Sequence, residues 1–139
     1  MRWSRLKSLL AEVRAPELDL VIHCSSYRRE SASPIGRYWI ELCGESILDI
    51  PTHFRDLMQS RRSNSDAPIV TGILRWWLEL PRDELLCAAH PEDRWGLVDV
   101  LRVSDRRVGK RSLSTIDHSQ LSVPAKRVLE VRYLRTEET

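Results

Sequence analysis

The chain has 139 residues, enough to bury the core of a single globular domain (1–139) without metal or disulfide staples. Hydrophobic residues make up 42% and charged residues 30%, a balance that excludes a disordered chain. With 22 basic and 20 acidic residues the formal charge is only +2, which excludes a global field that would draw the protein onto nucleic acid or an acidic membrane.

Met1 opens directly on an amphipathic pattern, with no apolar run long enough for a signal peptide or a membrane span, and this predicts a cytoplasmic protein. In MRWSRLKSLLAEVR, Trp3, Leu6, Leu10 and Val13 recur at three- and four-residue steps and form one helical stripe, with Ser4 as a capping residue. The period then changes. Leu18, Leu20, Ile22 and Cys24 alternate with Asp19, Val21, His23 and Ser25, as a strand with one better-buried face requires.

After the loop RRESASPIG, residues 37–43 and 46–50 flank Gly44 and predict a tight hairpin. Taking Cys43 and Gly44 as the turn residues puts Ile40 opposite Ile47 and Trp39 opposite Leu48, the preferred register. Three strands thus form an antiparallel meander, which the N-terminal helix is placed to cover. Pro51 ends the third strand. Phe54, Leu57 and Met58 mark a short helix starting at Thr52, and RRSNSDAP follows as a polar loop.

The C-terminal half reads as mostly helical. Asp66 caps a helix carrying Ile69, Val70, Ile73, Leu74, Trp77 and Leu80, apolar enough to be central. Pro81 and Pro91 each occupy a helix-start position, which predicts helices over 82–89 and 92–104 with a turn at His90. Val108, Ser112 and Ile116 permit another turn or two. The last segment admits two readings, a helix presenting Val128, Val131 and Leu134 or a strand presenting Leu129, Val131 and Tyr133; Glu137 to Thr139 should fray. The fold class is therefore α+β, with an N-terminal helix, a three-stranded antiparallel meander and a mostly helical C-terminal half.

Charge is unevenly distributed. Residues 66–99 hold seven acids against three bases, whereas residues 102–111 hold five bases against one acid. On one continuous helix Arg102, Arg106 and Lys110 would align, with Arg107 and Arg111 beside them, giving a band able to grip nucleic acid or another polyanion. The opposing reading is structural, with the cations answering a helix C-terminus and pairing with Asp83, Glu84, Asp93 or Asp99. A phosphate loop at Gly109-Lys110 is excluded, because Arg111 stands where Ser or Thr must bind magnesium and the earlier glycines are missing.

Adjacent Trp76 and Trp77 point about a quarter-turn apart on a helix, so at least one should reach the surface or a groove. With Arg75 beside them they are the candidate partner-binding residues, while Trp39 and Trp95 are the better core candidates. Cys24, Cys43 and Cys87 are odd in number and sit among apolar residues, which predicts reduced thiols buried in the core. Cys87 and His90, three apart, are the nearest approach to a metal or nucleophile pair, but two ligands do not make a site. No catalytic residues, metal site or cofactor motif is predicted, and the expected activity is non-enzymatic binding, to a protein partner or to a second copy.

The segments MRWSRLK, YRR, GRYWIELCG and above all VSDRRVGKRSL together resemble a family of short uncharacterised bacterial proteins, some carried as mobile integron gene cassettes. VLEVRYLR is similar to that family's closing helix. At the hairpin tip the family pattern has Asp-Gly, where this chain has Cys43-Gly44. The resemblance implies a single bacterial domain and transfers no catalytic residues.

Overall fold

The structure, a computed structural model, describes residues 3–26, 36–50 and 66–137. Helix α1 (Trp3–Val13) buries Leu6 and Leu10, two positions of the expected stripe, and leaves Trp3 and Val13 half-buried at its ends. Strands β1 (Leu20–Ser26), β2 (Gly36–Leu42) and β3 (Glu45–Ile50) form an antiparallel sheet in the order β1-β2-β3. The two-residue period holds: Leu20, Ile22, Tyr38, Ile40, Leu42 and Ile50 are buried. On the other face His23 stacks on Trp39 at 4.8 Å, and the Arg37 guanidinium lies over the same indole.

The hairpin turns at Cys43-Gly44, both with positive φ (52° and 83°), as the primed turn of a tight hairpin demands. Leu42 pairs with Glu45 and Glu41 with Ser46, but a bulge between Ile40 and Glu41 then skips Ile47. Ile40 therefore faces Leu48 and Trp39 faces Asp49, correcting the expected register beyond the tip. A bulge adds one residue to one strand and deepens its twist, which brings Ile50 opposite Tyr38 on the buried face.

Helix α2 (Asp66–Glu79) is the central element that its composition predicts. Val70, Ile73, Leu74 and Trp77 are buried to within 1% of complete enclosure, and each such side chain stabilises the fold by about 1.5–3 kcal/mol relative to exposure. Asp66 begins this helix rather than preceding it. With α1, it covers the sheet: Tyr38 Oη and Thr71 Oγ1 share a 2.5 Å hydrogen bond, and Trp3 meets the Tyr38 ring edge-on at 5.5 Å.

The two helices expected over 82–89 and 92–104 are not formed as such. Residues 82–84 make one 3-10 turn, and the next regular helix, α3 (Leu97–Ser104), starts five residues late. The reason is Asp93, whose carboxylate accepts the backbone N–H groups of Trp95, Leu97 and Val98 at 2.8–3.1 Å and so caps the helix from outside. A short α4 (Lys110–Leu113) and a 3-10 turn at 118–120 lead to α5 (Val123–Glu137), which settles the last segment as helix, still regular at Glu137. Its buried stripe is Ala125, Val128, Leu129 and Arg132, whereas Leu134 is 58% exposed.

The thiols also depart from expectation: Cys24 is half-buried and Cys43 and Cys87 are exposed. Trp77 is the fully enclosed indole, while Trp39 and Trp95 are half-buried. The loop RRESASPIG, up to residue 35, the helix expected from Thr52 and the polar loop up to residue 65 lie outside the described residues.

Candidate functional site: an apolar cavity beside a buried arginine joint

The arginine-rich segment does not form one helix. Helix α3 stops at Ser104, because the next residues leave it to pair with the end of α1: Ala15 N–H donates to Ser104 O and Arg106 N–H to Val13 O, both at 2.7 Å. Asp105 is thereby held in extended conformation with its side chain turned inward, 1% exposed. Its carboxylate accepts the Trp77 indole N–H at 2.8 Å, the Arg107 backbone N–H at 2.8 Å and the Arg107 guanidinium at 2.7 Å. A buried carboxylate is costly unless its lone pairs are answered, and here they are answered in full geometry.

Two of the five expected cations are absorbed by this joint and its neighbour. Arg102 is 8% exposed: it bonds Asp99 and donates to the carbonyls of Leu85 and Ala88, which fixes the irregular segment after α2. Arg107 holds Asp105 and reaches the Leu80 carbonyl. Arg106 and Arg111 are exposed and Lys110 is half-buried, but they are spread over the bridge and the start of α4. Of the acids expected to answer these cations, Asp99 does so; Asp93 caps α3, and Asp83 and Glu84 are exposed.

One member of the joint was missed from the sequence. Arg132, 4% exposed on α5, donates to the carbonyls of Val103, Asp105 and Val108 and pairs with Glu17. The available signal was its position, four after Val128 and three after Leu129, on the stripe that the burial pattern of α5 defines.

Trp76 is half-buried with its ring edge-on to His90 at 4.9 Å. Arg75 is exposed and lines a groove of about 240 Å³ between α1 and α2, floored by Leu9, Val13 and Leu78 and rimmed by Glu12 and Glu79. Cys87 is exposed, and His90 Nδ1 accepts the Glu92 N–H, so a helical turn does not set the pair in register. On the sheet, burial pushes the Cys24 thiol up from its ordinary pKa, an effect partly offset by a hydrogen bond with Tyr38, which makes it a poor nucleophile. No cluster of three metal-ligating side chains occurs among the described residues.

The cavity that gathers the most elements lies where α1, β1, α2 and α3 meet, with a volume of about 220 Å³. Its walls are apolar: Leu10, Leu20, Ile22 and Leu101 line it, with Trp77 among them. Asp105 also lines it, but that carboxylate is engaged by Trp77 and Arg107. Lys7, on α1 beside Leu10 and Ala11, and Arg14, the residue after the helix ends, bring positive charge to the same space. Arg14 Nη1 donates to Leu20 O at 2.7 Å, whereas its Nε is buried and has no hydrogen-bond acceptor among the described residues. A buried donor left unpaired costs about 1–3 kcal/mol, more when charged.

Among the described residues no helix is long and apolar enough to cross a membrane. No family model matches this sequence, and no curated protein or solved structure matches it either.

Proposed function

We propose that this chain is a non-enzymatic binding protein whose ligand site is the cavity between α1, β1, α2 and α3. The observation that carries the proposal is the mismatch between the cavity and the packing around it. Some 220 Å³ lies open beside one of the best-enclosed side chains of the core, Trp77, with apolar walls from four separate elements. The carboxylate lining the cavity is tied to a tryptophan and an arginine, which argues for binding over acid–base chemistry. A cytoplasmic setting suits the exposed Cys87 thiol.

Titration with a small apolar probe such as indole tests the reading. Chemical-shift changes confined to the methyl groups of Leu10, Leu20, Ile22 and Leu101, and lost in Ala11→Trp, support it. Shifts scattered over the surface, or none at millimolar probe, overturn it.

A second reading, a protein partner, rests on the α1–α2 groove. Its rim carries both signs of charge, Arg75 against Glu12 and Glu79, so a second copy placed by a two-fold axis would meet complementary charge. Light scattering that gives a monomer at high concentration removes it. Polyanion binding through Arg102, Arg106, Arg107, Lys110 and Arg111 is the less favoured alternative, since Arg102 and Arg107 direct their donors to their own chain.

A further inference from the structure

We infer that the ligand of this cavity is a small amphipathic monocarboxylate, an apolar body of aryl or short-alkyl size ending in one carboxylate that Arg14 receives. The inference rests on the cavity being a ligand site, as proposed above, and adds the chemical class.

Size comes first. An engineered apolar cavity of about 150 Å³ accommodates benzene, so 220 Å³ takes a ring or a short chain with a small head group and excludes long acyl chains, nucleotides and folded peptides. Apolar walls set the body of the ligand, since Leu10, Leu20, Ile22 and Leu101 offer contact and no hydrogen bonds.

Charge sets the head group. Lys7 on α1 and Arg14 just past its end both line the cavity. The anion present, Asp105, is already matched by Arg107, so it does not neutralise them. A cationic ligand would meet two like charges, and a neutral one could answer the Arg14 donor but would leave both charges unmatched.

Arg14 supplies the orientation. The guanidinium is a planar fork whose Nε–H and the neighbouring η N–H point along one edge, the spacing that matches the two oxygens of a carboxylate. Leu20 O occupies Nη1, on the other side of the fork, and holds the group in place. The Nε edge is buried and unanswered, a charged donor kept out of water with no acceptor among the described residues. Arg14 lines the cavity, and a small turn of its side chain brings that edge to a carboxylate bound there. The ligand's tail then points along the apolar walls, and Lys7, which lines the same cavity, screens the remaining charge.

Isosteric pairs test the class independently of the site. Phenylacetate against phenylacetamide, and hexanoate against hexanamide, are titrated into the protein by calorimetry and by methyl shifts, with Arg14→Gln and Lys7→Ala alongside. We expect each carboxylate to bind at least about tenfold more tightly than its amide. Arg14→Gln should abolish that preference while amide binding persists, which also shows that the variant is folded. Lys7→Ala should reduce the preference by a smaller factor and make it less dependent on salt. Equal binding of acid and amide, or a preference that survives Arg14→Gln, overturns the inference and leaves the cavity reading intact. Failure of all four compounds to shift the cavity methyls overturns both.

Discussion

Trp77 donates its indole N–H to Asp105 Oδ2 at 2.8 Å, and neither side chain reaches solvent. This contact ties the central helix to the segment linking α3 and α4, and Arg107 closes it from the other side. Asp105→Asn removes the charge and turns an N–H group toward a donor, leaving Arg107 unanswered. We expect a loss of about 3–5 kcal/mol in urea unfolding, the range for breaking one partner out of a buried pair. An unchanged midpoint would mean that the contact contributes nothing. Trp77→Phe keeps the ring but drops the donor, and should cost less.

The cations of the DRRVGKR segment divide into two classes. Arg102→Ala and Arg107→Ala each strip donors from buried or half-buried acceptors and should destabilise by about 2–3 kcal/mol. Arg106→Ala and Arg111→Ala, at exposed positions, should stay within about 0.5 kcal/mol. Thermal denaturation of the four variants checks this, and equal effects in all four would refute the division.

Glycine replacements should act with opposite signs. At Gly96, φ is +73° and an added Cβ would lie 2.4 Å from Ser122 Cβ, so Gly96→Ala suffers both a left-handed backbone and a collision between the starts of α3 and α5. Gly72, inside α2, has open space around it, and Gly72→Ala should stabilise by about 1 kcal/mol through helix propensity. Chemical denaturation of the two variants against the parent gives the sign directly. Adding Ser122→Gly to Gly96→Ala should recover the collision part of the loss and leave the backbone part.

Burial pushes the Tyr38 phenol up to about 12 from 10.0, in spite of the hydrogen bond with Thr71 that opposes the shift. The unfolded chain therefore loses this proton first, so it binds fewer protons than the folded chain between those values. Stability should fall as pH rises through that window, and should not depend on this group below it. Absorbance at 295 nm should show one tyrosine titrating late, and Tyr38→Phe should flatten the alkaline slope of the unfolding midpoint.

Much of the sheet and of α2 was legible because local periodicity decides them. Leu20, Ile22, Tyr38 and Ile40 recur at every second position of their strands, and α2 is apolar around most of its circumference. The bulge at Ile47 was not legible, since it is chosen by the twist that brings Ile50 to the core rather than by the turn residues. Residues 82–96 were misread for a related reason. Two prolines advertise helix starts, but a local cap at Asp93 and the guanidinium of Arg102, from another element, satisfy backbone groups there and outweigh propensity. The cavity takes its lining from four elements, and no window of sequence contains it.

Arg132 and Glu17 lie 115 positions apart and meet at 3.2 Å, and the same arginine serves the carbonyls of Val103, Asp105 and Val108. Closing so long a loop costs about 4 kcal/mol of chain entropy, to be met by contacts that exist only once α5 is in place. Synthesis runs from the amino end, so a nascent chain carries those carbonyls without their donor until residue 132 has left the ribosome. The joint is therefore the last part of the molecule to close. In a series of arrested nascent chains, pulling force should rise only when α5 has emerged; a rise as soon as α3 clears the tunnel would show that the joint forms without Arg132.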